Sequence, residues 1–295
     1  MFKQNEIPYC ILINKIDITI PNDSFIDSLP TDKTISISTK NFQNCEKEVS
    51  LFLSSFTSII KNKVQINNEF NMFSGLVDKK EVCIFVTPID SGTPKGRMIL
   101  PQVQALRNLL DKNAIVLFTQ LQEYVEVIKL LDNKVKLVVT DSQVIKEVIE
   151  LSNNNQMITT FSILLSRLKG DFGYETISVK NIDSVGKYDR VLIAEGCSHH
   201  SQKEDIARVK LPKLLEKYLG YLPELDYCSG RDFPSDISKY KIIIHCGACM
   251  QTQKEKISRI NLSKQQSIPF TNFGMAIAYM NKYFERVIQP FDKLS

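Results

Sequence analysis

The 295-residue chain has no tryptophan and only three histidines. It contains no uninterrupted apolar stretch of the ~18 residues that a membrane-crossing helix needs, so no membrane partner is expected. Its first residues, Met1-Phe2-Lys3-Gln4-Asn5-Glu6, lack the basic start and apolar segment of a secretory leader, and a cytoplasmic protein is expected. No Gly-x-x-x-x-Gly-Lys-Ser/Thr occurs anywhere, which removes the usual phosphate-holding loop. Charge of one sign is also scarce: the net charge is +4 and the basic residues are dispersed, too weak a field to argue for a nucleic-acid partner.

The few soft ligands are not scattered. His199, His200 and His245 fall in two short stretches, and so do Cys197, Cys246 and Cys249, three of the seven cysteines. Each stretch is an apolar run with ligands at its C-terminal tip: Val191-Leu192-Ile193-Ala194-Glu195-Gly196-Cys197-Ser198-His199-His200, and Ile242-Ile243-Ile244-His245-Cys246-Gly247-Ala248-Cys249. Together they read as one metal site, Cys-x-His…His-Cys-x-x-Cys, at the ends of two strands. In a reducing compartment, clustered thiols point to metal or catalysis rather than to disulfides. Cys10 and Cys83 sit within apolar runs and read as small buried hydrophobes, while Cys228 stands apart from the cluster.

The rest of the chain alternates. Strands are expected at 7–13, 34–37, 82–87, 114–119, 135–140, 190–194, 224–227, 241–245 and 268–270. Helices are expected at 44–61, 101–111, 121–131, about 142–151, 159–168, 206–219, 248–260 and 273–287. Residues 62–80 read as a polar linker, and 169–173 as a loop. Continuous apolar strands separated by helices predict an α/β fold with mainly parallel sheets. Three units are expected: 1–62, 63–155 and 156–295. In such sheets ligands collect beyond the carboxyl ends of the strands, where both cysteine stretches fall.

The first unit carries Asn14-Lys15-Ile16-Asp17 at one strand end and Ser38-Thr39-Lys40 after the next. That pair is the guanine-reading half of a GTPase domain: Asp17 can accept from the guanine ring nitrogen and amino group, and the Lys15 stem can pack along the base. Asn14, Lys15, Asp17, Ser38 and Lys40 are the candidate guanine-side residues. The segment Ser91-Gly92-Thr93-Pro94-Lys95-Gly96-Arg97 lacks the Lys-Ser/Thr of a phosphate loop and reads as a turn. The unit therefore looks like the remnant of a GTPase domain without its front part, and no GTP hydrolysis is expected of it.

Cys246-Gly247-Ala248-Cys249 puts two thiolates a turn apart where a helix is expected to begin, an electropositive setting. Cys197 adds a third thiolate. Three thiolates suit a 4Fe–4S cluster whose fourth iron takes water, a histidine, a carboxylate or an incoming cluster. The same residues with one histidine also make a Cys₃His zinc site. The residues alone leave both open, and with zinc the chain would be an interaction module around a structural GTPase remnant.

Several motifs together resemble the maturation GTPase of FeFe-hydrogenases, the HydF family. They are Pro88-Ile89-Asp90-Ser91-Gly92-Thr93-Pro94-Lys95-Gly96-Arg97, Leu100-Pro101-Gln102-Val103-Gln104, Thr140-Asp141-Ser142-Gln143, Phe161-Ser162-Ile163-Leu164 and Lys169-Gly170-Asp171, with the two cysteine stretches. The resemblance covers nearly the whole chain. It implies GTPase, dimerisation and cluster-binding domains, a homodimer, and a 4Fe–4S cluster on Cys197, Cys246 and Cys249. His199, His245 and Glu204 are its candidate fourth ligands. It also implies a carrier that accepts a transient di-iron subcluster precursor from radical-SAM maturases and passes it to the apo-hydrogenase, with GTP bound in the full-length family member.

Overall fold

A computed structural model of the chain describes residues 9–30, 34–38, 40, 50, 52–54, 56–57, 71–89, 95–132, 134–196 and 206–294. Two compact units divide it, 1–70 and 71–295.

In the first unit β1 (Ile11–Ile13) pairs in parallel with β2 (Thr34–Ser36), Leu12 opposite Ile35. A short helix, Asp23–Asp27, lies between them in the chain and is capped by Asn22, whose side chain accepts from the Phe25 amide. Of the expected 44–61 helix, residues 50, 52–54, 56 and 57 are described, and these are helical.

The second unit holds two four-stranded sheets. The first contains β3 (Val82–Val86), β4 (Ile115–Thr119), β5 (Leu137–Thr140) and β6 (Ile158–Thr160) in the order β4-β3-β5-β6. The second contains β7 (Arg190–Glu195), β8 (Glu224–Ser229), β9 (Tyr240–His245) and β10 (Phe270–Asn272) in the order β10-β9-β7-β8. All the pairings are parallel. The runs Val-Cys-Ile-Phe-Val, Leu-Val-Val-Thr and Tyr-Lys-Ile-Ile-Ile-His are apolar on both faces because helices cover both sides. Read from its earliest strand, each sheet runs second-first-third-fourth. The direction of winding therefore reverses between β3 and β5 in one and between β7 and β9 in the other.

Several expected boundaries shift for identifiable reasons. Residues 71–80 are not a linker: Met72, Phe73, Leu76 and Val77 are buried in the core, an apolar set that the flanking polar residues disguise. The chain around 158–169 is a strand followed by the Phe161–Lys169 helix, with Thr160 capping it through the Ile163 amide. The 169–173 segment is no open loop: Gly170 ends one helix and Asp171 caps the next, Phe172–Ser178. Ahead of the Leu211–Leu219 helix, Ile206–Lys210 forms a π turn, a wider coil that clusters at functional sites. The final helix is broken into Phe273–Met280 and Phe284–Ile288, with Lys282 at positive φ between them.

Candidate metal centre

β7 and β9 lie side by side, Ala194 opposite His245, and the ladder runs one residue further as the Cys246 amide donates to the Ala194 carbonyl at 2.8 Å. The cysteine stretches therefore leave the sheet at its winding reversal, where open α/β sheets hold ligands. The Gly196 amide, immediately before Cys197 in the chain, points at Cys246 Sγ at 3.0 Å. The Ala248 amide faces the same sulfur at 3.4 Å. Such N–H···S contacts stabilise thiolate.

The loop is tightly made. A Cβ on Gly196 would lie 2.9 Å from Gln251 Cδ, and one on Gly247 would press Leu165 Cδ1 at 3.2 Å. Ala248 has φ +57°, a left-handed turn that small residues tolerate best. The helix expected from 248 starts later, at Gln253, capped by Thr252 with Glu255 reaching back. The thiols thus sit on a loop ahead of the helix, and neighbouring amides and cations replace its dipole as the source of positive field.

The nearest cation is Lys169. Its Nζ donates to the carbonyls of Ala248, Cys249 and Gln251 at 3.2, 2.8 and 3.0 Å. Gln104 Nε2 adds a 3.4 Å contact to the Cys249 carbonyl. Deeper, Lys256 and Glu175 form a fully buried pair at 2.9 Å, and Asn272 donates to the same carboxylate at 3.2 Å. Burial raises both the Cys246 and Cys249 thiols above the usual range, and Lys169 acts against this at Cys249.

His245, a candidate fourth ligand, is fully buried with both ring nitrogens engaged. Nδ1 lies 2.7 Å from the Cys246 carbonyl and Nε2 2.8 Å from an Arg259 nitrogen. A guanidinium only donates, so Nε2 is the acceptor and Nδ1 carries the proton. Burial depresses the imidazole to about 3, leaving it neutral. Its face stacks on Phe270 at 5.4 Å. In this arrangement no ring nitrogen is left for a metal. Arg259 also reaches the Gly230 carbonyl and lies over Phe233. With its amide oxygen turned inward, Gln251 accepts from both guanidinium nitrogens at 3.2 and 2.8 Å.

Cys197, His199, His200 and Glu204 lie outside the described residues. Among the described residues no three His, Cys, Asp or Glu side chains gather as a metal site. Cys228 is closer than the sequence suggests: it stands opposite Ala194 on β8, near enough for Cys246 and Glu195 to act on it, and burial raises its thiol to about 11. Cys83 is buried and raised to about 12, in keeping with an inert core thiol.

In the first unit the two stretches expected to read guanine meet. Ser38 Oγ donates to Asp17 Oδ1 at 2.5 Å, and Lys40 Nζ lies 3.9 Å from Asp17 Oδ2. Asn14 Oδ1 accepts from the Lys15 amide at 2.8 Å, with Lys15 at φ 64°.

Lys169, Gln104, Gln251 and Arg259 were not legible as site residues. Arg259 and Lys256 lie on the inward face of a helix, Gln253–Gln265, that has almost no apolar stripe to mark that face. For Lys169 the signal available was the Lys-Gly-Asp run.

Fold and loop together define a class: a two-sheet parallel α/β protein with a cysteine loop at the winding reversal of its second sheet. Sequence profiles assign the class to a family. Residues 72–170 match the hydrogen maturase F dimerization domain, and residues 174–290 its tetramerization domain. The chain belongs to the hydrogen maturase F family and so to hydrogenase maturation, and it carries two domains named for self-association. A comparison with curated proteins finds no match. Among solved structures, an NtrC family transcriptional regulator from Clostridium acetobutylicum aligns at 13% identity over 70% of this chain and 97% of its own, with a TM-score of 0.21. Among the described residues no helix is long and apolar enough to cross a membrane.

Proposed function

We propose that the chain is a cytoplasmic scaffold and carrier in FeFe-hydrogenase maturation. In this reading Cys197, Cys246 and Cys249 hold a 4Fe–4S cluster, whose fourth iron is left to an exchangeable ligand. A di-iron precursor is received from radical-SAM maturases and delivered to the apo-hydrogenase. The observation that carries the reading is the Gly196 amide on Cys246 Sγ, which brings the residue before Cys197 against the other cysteine stretch. The donor set fits the group: Cys246 Sγ receives two amide N–H donors, and Lys169 beside Cys249 and Arg259 beside Cys246 supply positive charge suited to an anionic thiolate cluster. The cluster supplies an iron position at which a cargo ligand exchanges.

His199 and Glu204 are the preferred fourth ligands, because His245 is engaged with Arg259 and the Cys246 carbonyl. A carboxylate suits an exchangeable position since it holds cluster iron less tightly than thiolate. The homodimer is assigned to the first sheet, whose strand β4, an edge among the described residues, exposes Ile115 and Phe118. Asp17, Ser38 and Lys40 serve guanine recognition, with Asn14 and Lys15.

Anaerobic reconstitution with iron and sulfide, followed by EPR of the reduced protein with metal analysis, tests the reading. A 4Fe–4S signal lost in Cys197→Ala, Cys246→Ala or Cys249→Ala is expected, and a spectrum that changes with imidazole marks the exchangeable iron. Stoichiometric zinc without a cluster signal overturns it and leaves the zinc-held interaction module.

A further inference from the structure

We infer that Lys169 is a positioning residue of the metal centre, a clamp lent by the dimerization domain to the cysteine loop of the neighbouring domain. The inference rests on the cluster reading above and deepens it. Lys169 lies at the end of the Phe161–Lys169 helix, inside the dimerization-domain match, whereas Cys246 and Cys249 lie in the tetramerization-domain match.

An ammonium has three donors, and Lys169 places all three on loop carbonyls, those of Ala248, Cys249 and Gln251. A peptide unit is planar and trans, so fixing a carbonyl fixes the N–H on its opposite side. The carbonyls of Ala248 and Cys249 belong to the peptide units whose N–H groups are those of Cys249 and Met250. Holding these carbonyls therefore fixes the two peptide planes that flank Cys249, and with them the amides of Cys249 and Met250. Gln104, from the Leu100–Asp111 helix of the same domain, holds the Cys249 carbonyl as well.

Among the described residues the ionisable groups that act on Lys169 are the thiols of Cys249 and Cys246 and the cation of Lys256. A half-buried ammonium close enough to interact electrostatically with two thiols favours a bound group of negative charge. It also favours the reduced, more negative form of such a group, which raises its midpoint potential.

The test uses the full chain with Lys169→Met, which removes donors and charge, and Lys169→Gln, which keeps two donors and removes charge. Hydrogen exchange of the metal-free protein reads the clamp. The expected result is roughly tenfold faster exchange at Cys249 and Met250 in Lys169→Met, a smaller rise in Lys169→Gln, and unchanged protection in β3, β5 and β7. Reconstituted protein is expected to show a more negative midpoint potential in both variants. Loop exchange equal to the parent, a rise spread evenly over the chain, or a potential unmoved in both variants overturns the inference. Should Lys169→Met not fold, Lys169→Gln carries both measurements. If the parent chain itself takes up no cluster, the carrier reading fails while the exchange arm still decides the role of Lys169.

Discussion

The two sheets of the second unit have the same winding and different chemistry. Both run second-first-third-fourth, and both reverse direction between their first and third strands. At the reversal of the first sheet the polar groups pair with one another. Thr140 Oγ1 donates to the Val86 carbonyl at 3.0 Å, and Gln102 spans Asp141 at 2.9 Å and the Ile99 amide at 3.1 Å. At the reversal of the second sheet stand Glu195, Gly196, His245 and Cys246, with Arg259 and Lys256 behind them. Winding supplies the crevice, and the residues at the strand ends decide whether it has chemistry. The first sheet has become a support instead. Its helices send Lys169 and Gln104 to the cysteine loop.

The largest effect expected from this contrast lies in the buried charges, which among the described residues stand behind the site of the second sheet. Glu175→Ala leaves Lys256 fully buried without its carboxylate and should cost about 3–5 kcal/mol in chemical denaturation. The double replacement Glu175→Leu with Lys256→Met should recover much of that loss, because an apolar pair needs no partner. Thr140→Val, at the reversal of the first sheet, should cost only about 1 kcal/mol, one neutral hydrogen bond. Equal losses at the two sites would break the contrast.

Acid should separate the sheets next. All three histidines lie outside the first sheet. His245 has its imidazole depressed to about 3 against an ordinary 6.5. Between those values the unfolded chain binds a proton that the native chain does not. Stability contributed by neutral His245 is therefore complete above about pH 6.5 and falls as pH drops towards 3, by at most about 1.4 kcal/mol per pH unit. Denaturation midpoints of the parent and of His245→Gln, followed from pH 7.5 to 4.5, measure the difference. A parent slope no steeper than that of the variant would mean that His245 takes up its proton in place, and the second sheet would lose its acid sensitivity.

The difference between the sheets also explains what the sequence could and could not convey. Strands β3, β5, β7 and β9 were legible because a strand covered on both faces is written as an unbroken apolar run. The cysteine loop was legible because rare residue types were concentrated at strand tips, and the Asp17–Ser38–Lys40 meeting because its two motifs follow paired strands. The supports were not. Lys169, Gln104 and Arg259 act across 79 to 145 or 14 to 29 positions of chain, and no local period marks a contact of that span. His245 looked like a ligand by motif, but its place at the end of a buried strand turns its ring to Arg259 and Phe270. The strand 158–160 hid because three residues before a helix carry too little period to separate from it.

The smallest effect is the sharpest comparison. Ile84 in β3 and Ile244 in β9 are both fully buried. Ile84→Val and Ile244→Val each remove one methylene and should each cost about 0.5–1.5 kcal/mol. Stability alone will not distinguish them. The EPR spectrum of the cluster proposed above should, because Ile244 immediately precedes His245 and Cys246, whereas β3 lies in the other sheet. An altered EPR line shape in Ile244→Val with an unchanged one in Ile84→Val keeps support and chemistry apart. An equal change in both would mean that the first sheet transmits its packing through Lys169 and Gln104 to the sulfurs, so that the two sheets form one site rather than a site and its support.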